Sequence, residues 1–188
     1  MKKLNSSIKE RKLLIETGKQ KVLDFLIRYP EKEFSLSDLA KESGVAKANI
    51  GNIIEDLHKA GFVRLEKLSK IWRIGADRES PAFLKIKTVY NLNYIYQSGL
   101  VEFLSEKYNN PKSIILFGSY RKGEDTSQSD IDIAVETSSG EYRVIESGKE
   151  IAGRRVQLHV FDRKNTDINV FNSIANGIVL SGFLEVRP

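Results

Sequence analysis

The run "ILFGSYRKGEDTSQSDIDIAV", Ile115 to Val135, decides how the rest of the chain is read. One apolar stretch, Ser113 to Phe117, stops at Gly118-Ser119. A second, Asp130 to Glu136, carries aspartates at alternate positions. On a strand, side chains at i and i+2 point the same way and stand about 7 Å apart. Asp130, Asp132 and Ala134 therefore share one face, with Ile131, Ile133 and Val135 on the other. Paired carboxylates repel, and burying them costs desolvation unless a cation lies between them. Mg2+ meets that need, because it takes oxygen ligands and shares them with substrate phosphates.

The glycine-serine pair supplies the complementary half. A glycine after a strand lets backbone approach a phosphate closely, while the Ser119 N–H and hydroxyl donate to its oxygens. Arg121 and Lys122 are near enough in sequence to neutralise a triphosphate, and Gly123 keeps the loop pliable. Gly118-Ser119, ten residues, then Asp130-Ile131-Asp132, with apolar runs on both sides, is a specific combination. It resembles the nucleotidyltransferase fold of the DNA polymerase β superfamily, above all its minimal prokaryotic members, over about residues 100–188.

That resemblance implies transfer of a nucleoside monophosphate from a nucleoside triphosphate, expected to be ATP, onto a hydroxyl. Two Mg2+ ions would take part. Asp130 and Asp132 would be the catalytic, metal-holding residues, and Gly118 and Ser119 would bind the triphosphate, aided by Arg121 and Lys122. Some minimal relatives are antitoxins that modify a partner toxin, so a protein acceptor is also implied. The family places a third acid on a later strand. In the matching run "RRVQLHVFD", Arg154 to Asp162, that place falls to Gln157, with His159 two residues on, after a helix predicted around Tyr142 to Ala152. Glutamine cannot take a proton from a hydroxyl. Histidine can near neutral pH but is an unusual Mg2+ ligand, and a structural histidine is the commoner outcome. Glu136 and Asp162 could stand in only under a different register. Gln157 therefore favours nucleotide binding without turnover over an active transferase.

The first third has a different character. Residues 1–75 hold 16 Lys/Arg against 10 Asp/Glu, while residues 76–110 balance at 4 and 4, and residues 111–188 hold 10 against 11. The net charge of +5 is thus concentrated at one end, which suggests a polyanionic partner. Apolar residues from Leu14 to Ile27 predict a helix over Ser7 to Tyr29, stopped at Pro30. Ser35 and Asp38 can cap a short helix through Lys41, and Gly44 suits a tight turn. Ile50, Ile53, Ile54 and Leu57 then mark a helix from about Ala46 to Ala60, followed by two extended runs.

This order resembles winged helix-turn-helix DNA-binding domains over roughly residues 8–75. The resemblance implies a second helix in the major groove of double-stranded DNA, reading bases through Lys47, Ala48, Asn49 and Asn52. Arg64, Lys67, Lys70 and Arg73 would contact the backbone or minor groove from the wing. Protein docking is the other use of such modules.

The expected fold class is α+β, in three parts. A winged helix domain spans 1–75, a helical connector 76–110, and a small mixed-sheet nucleotidyltransferase domain 111–188. Tyrosines of the connector suit core or a dimer interface, and a DNA reader of this kind commonly works as a homodimer. The chain has no cysteine and only two histidines, which excludes disulfides, thiolate zinc sites and multi-histidine metal sites. No apolar run is long enough for a membrane span, and "MKKLNSSIKERK" lacks the apolar stretch of a signal peptide, so a cytoplasmic location is expected. Together these features predict a DNA-binding transcriptional regulator carrying a nucleotide-sensing transferase-like domain, with an active transferase as the alternative.

Overall fold

The computed structural model describes residues 17–68, 71–138 and 141–185. The start of the predicted first helix, Ser7 to Glu16, and the wing residue Lys70 lie outside the described residues.

The amino-terminal unit is built from α1 (Gly18–Arg28), β1 (Glu33–Phe34), α2 (Leu36–Ser43), α3 (Lys47–Lys59), β2 (Val63–Leu68) and β3 (Ile71–Ala76). Local chemistry sets these boundaries. Ser35 and Asp38 form a reciprocal capping box at the start of α2, and Gly44 closes that helix in the left-handed region at φ 66°. The three strands form an antiparallel sheet in the order β1-β3-β2. Apolar residues from all three helices, among them Leu26, Leu39, Ile54 and Leu57, bury against Val63 and Ile74 of the sheet.

The carboxy-terminal unit follows α4 (Pro81–Gln97) and α5 (Leu100–Lys107), which break at Gly99. It comprises β4 (Ser113–Phe117), α6 (Gly118–Lys122), β5 (Ile131–Glu136), β6 (Arg143–Ile151), β7 (Arg154–Phe161), α7 (Ile168–Ala175) and β8 (Ile178–Gly182). Its sheet runs β6-β7-β5-β4-β8, with β5 and β7 parallel and the other neighbours antiparallel. One face packs Ile114, Leu116, Ile133, Val156 and Leu158 against α4, α5 and Tyr120 of α6. The opposite face packs Ile115, Ala134 and Phe161 against Phe171 and Ile174 of α7. Gly177 allows that approach, since a Cβ there would strike Ile115 and the Leu116 carbonyl.

The helix predicted over Tyr142 to Ala152 is instead the strand β6. Two features decide this. Ala152 and Gly153 both take positive φ, 51° and 76°, the geometry of a tight hairpin turn into β7. Gly148, at φ 68°, sits in a bulge between Glu146 and Glu150, which hides the strand alternation in the sequence.

α4 belongs to both cores. Phe83 is fully buried with the amino-terminal helices, whereas Ile95 is fully buried with the five-stranded sheet. Below it lies a charged junction. Asp125 meets Lys87 at 3.0 Å and Arg154 at 3.0 Å, and all three side chains are at most 2% exposed. Asn91 donates to Asp125 at 2.9 Å and to the Tyr120 carbonyl at 2.8 Å. Arg154 also donates to the Arg28 carbonyl at the end of α1, at 3.2 Å. Tyr94, expected as core or dimer contact, is partly buried within the chain and hydrogen-bonds Asp24.

Candidate active site

Asp130 immediately precedes β5, and Asp132 lies on it. Strand pairing spreads their face across the sheet. Asp132 stands opposite Gln157 on β7, and Gln157 stands opposite Glu146 on β6. Ala134, His159 and Val144 form the next row, and Arg155 opposes Glu150 in the row before. α7 covers only the far end of this face, so the row of Asp132, Gln157 and Glu146 remains accessible.

At the end of β4 the chain turns directly into α6, with Gly118 as its first residue at φ 73°. This position demands glycine twice over. Positive φ is strained for other residues, and any Cβ would collide with the Asp132 carboxylate. The backbone at the Gly118 turn and the aspartate strand are therefore in direct contact. Ser119, half-buried, follows in the same turn. Arg121 and Lys122 lie in the helix's final turn, where Lys122 pairs loosely with Glu124 at 3.8 Å. The structure thus brings Gly118, Ser119, Asp130 and Asp132 together, with Lys122 engaged at the other end of α6.

Each aspartate meets a cation or potential cation of the chain. Arg155 Nε lies 3.1 Å from Asp130, and His159 Nε2 lies 3.0 Å from an Asp132 carboxylate oxygen. His159 is nearly buried, packed edge-on against Phe117, and its Nδ1 lies 2.5 Å from the Tyr142 hydroxyl. Burial, with the nearby Asp132 charge, pushes the Tyr142 hydroxyl up. The Asp132 carboxylate can only accept, so the Nε2–H donates to it and orients it. Both ring nitrogens thus have partners, Asp132 at Nε2 and Tyr142 at Nδ1.

The two alternative acids do not enter the site. Glu136 is buried, accepting from Ser113 at 2.9 Å, and Asp162 closes the turn after β7 by accepting from the Lys164 N–H.

The donor set fits Mg2+. Asp130 and Asp132 are oxygen donors on one face, 30% and 24% exposed. Among the described residues, no three histidine, cysteine or acidic side chains are already gathered as a metal cluster.

The base-reading candidates of the first third, Lys47, Ala48, Asn49 and Asn52, are all exposed along the first two turns of α3. The cations predicted for a wing are less available than the sequence suggests. Lys67 is paired with Glu55 at 2.6 Å and lies over Trp72, and Arg73 is shared between Glu33 and Glu66 at 3.3 Å each. Arg64 is exposed beside Arg78 in a shallow cleft facing Gly123 and Glu124.

Comparison with known proteins bears on the carboxy-terminal unit. A family model described as "Nucleotidyltransferase domain" matches residues 98–181 and leaves residues 1–97 outside it. A Methanocaldococcus jannaschii protein named "Putative protein adenylyltransferase MJ1379" is 44% identical over 64 residues, covering 30% of this chain and 63% of its own length. The match thus spans less than two thirds of that relative. No solved structure matches the chain significantly. No helix among the described residues is long and apolar enough to cross a membrane.

Proposed function

We propose that this chain transfers a nucleoside monophosphate from a nucleoside triphosphate, with ATP the expected donor, onto a protein hydroxyl. The observation that carries the reading is the packing of Gly118 against Asp132, which joins a phosphate-binding turn to a pair of carboxylates. The family match and the relative's name support transfer over passive nucleotide sensing. Asp130 and Asp132 would hold Mg2+, which when bound neutralises triphosphate charge and the charge that develops during displacement. Gly118 and Ser119 seat the phosphates through backbone N–H groups and the serine hydroxyl. Tyr142 and His159 fix the orientation of the Asp132 carboxylate.

Two labelled forms of ATP separate this chemistry from phosphoryl transfer. With Mg2+ and cell lysate, label from the α-phosphate is expected to enter protein, and label from the γ-phosphate to leave as pyrophosphate. Retention of γ-label on protein would show the wrong bond breaking.

A second reading, binding of double-stranded DNA by the amino-terminal unit, is favoured by one observation. Lys47, Asn49 and Asn52 stand exposed at the leading end of α3, whose first turn has no side-chain cap. Exposed amides and ammonium groups there suit base edges in a major groove. Lys47→Ala/Asn49→Ala is expected to weaken retardation of a genomically selected fragment roughly ten- to hundredfold and of random DNA far less. Equal losses on both would remove the base-reading role.

A further inference from the structure

Gln157 leaves the site without an obvious group to take a proton, and His159 is occupied at both nitrogens. The sheet order indicates where to look. Phosphates bound at Gly118-Ser119 lie at the β4 side of β5, and β7 and β6 lie on its other side. In an in-line displacement the nucleophile arrives opposite the leaving group. The acceptor must therefore approach from the β7–β6 side.

A cleft of about 390 Å³ opens on that side, lined by Asp130, Glu146, Lys149, Arg155 and Gln157 among others. Glu146 faces into the row of Asp132 and Gln157, one strand beyond the glutamine. The β5 and β6 backbones are two strand spacings apart, about 9.5 Å, with Gln157 of β7 between them, so an acceptor hydroxyl that meets both carboxylates lies over Gln157. Glu146 is exposed and, unlike Glu136 and Asp162, is engaged in no hydrogen bond or ion pair among the described residues. It also sits at the edge of the β6 bulge, a distortion that re-aims side chains beside it.

We propose that the acceptor reaches the nucleotide through this cleft and that Glu146 takes its hydroxyl proton, replacing from the edge strand what Gln157 cannot supply. The inference rests on the transfer reading above. The acceptor oxygen bonds to the α-phosphorus as the bond from that phosphorus to the bridging oxygen of pyrophosphate breaks. Pyrophosphate leaves with the electron pair, and the proton passes to the Glu146 carboxylate and then to water.

The test compares wild type, Glu146→Gln and Glu146→Gln/Gln157→Glu with α-labelled ATP, reading kcat, ATP affinity by calorimetry and thermal midpoint. Glu146→Gln is expected to lower kcat about a hundredfold, the usual scale for a lost general base, with ATP affinity and midpoint unchanged. The second substitution returns a carboxylate one strand nearer and is expected to restore at least tenfold of the loss. Wild-type kcat in Glu146→Gln, beside a loss of transfer in Asp132→Asn, would overturn the proposal and leave the transfer reading standing. A kcat loss matched by an equal loss of ATP affinity would overturn it as well, by assigning Glu146 to the nucleotide. Absence of α-label transfer by the wild type would overturn the reading and this proposal with it.

Discussion

Asp132→Asn is expected to slow nucleotidyl transfer about a thousandfold, a loss of roughly 4 kcal/mol of transition-state stabilisation. The substitution is nearly isosteric, so the fold should tolerate it. An asparagine oxygen still accepts from His159 Nε2, and the close passage of Gly118 is preserved because the side chain keeps its shape. What disappears is one negative charge, at the place where the Gly118 backbone and the carboxylate strand touch. Initial rates of α-label transfer give the effect directly, with the thermal midpoint as a check on folding. A variant that folds normally and retains more than a tenth of the wild-type rate would show that Asp132 does not sit at the reacting centre.

Asp125→Ala should have the largest effect on stability. Its carboxylate is the anion between Lys87 and Arg154, with all three side chains sealed from solvent. Burial pushes the Lys87 ammonium down, and Asp125 opposes that shift. Removing one partner of a buried ionic cluster leaves an uncompensated charge and costs about 3–5 kcal/mol. For a chain of this size that corresponds to a fall in midpoint of roughly 10 °C. Asp125→Ala/Lys87→Met should recover part of the loss, because it removes one of the two buried cations left without a counter-ion, while the other, Arg154, keeps its backbone carbonyl acceptors. Thermal melts of the three proteins distinguish an ionic junction from simple cavity formation, for which the second substitution would deepen the loss.

What the sequence disclosed was local. The alternation around Asp130 and Asp132 implied a strand with both carboxylates on one face, and the glycine after Phe117 implied a tight phosphate turn. The cap of α2 and the apolar spacing of α3 were equally explicit in Ser35, Asp38 and the isoleucines. Partnership across the fold was not disclosed. Nothing near Lys67 or Arg73 in sequence announces Glu55 or Glu33, because those pairs are made by strands folding onto helix and sheet. The sequence predicts a helix over β6 because the bulge at Gly148 breaks its alternation, and the Ala152-Gly153 turn is not among the commonest hairpin signals. Glu146 is hidden with it, since its place beside Gln157 exists only once β6 and β7 are paired. Asp125, inside the motif yet silent in it, drew attention only through Lys87 and Arg154, 38 residues before it and 29 after.

The double membership of α4 bears on modularity. A fragment cut at residue 98, where the family match begins, would discard Ile95 from the sheet's core and both Lys87 and Asn91 from the Asp125 junction. The carboxy-terminal unit is therefore not portable at the boundary of the family match. Its smallest transplantable form begins before Ser80, the cap of α4, and carries with it the apolar surface that Phe83 normally hides against the amino-terminal helices.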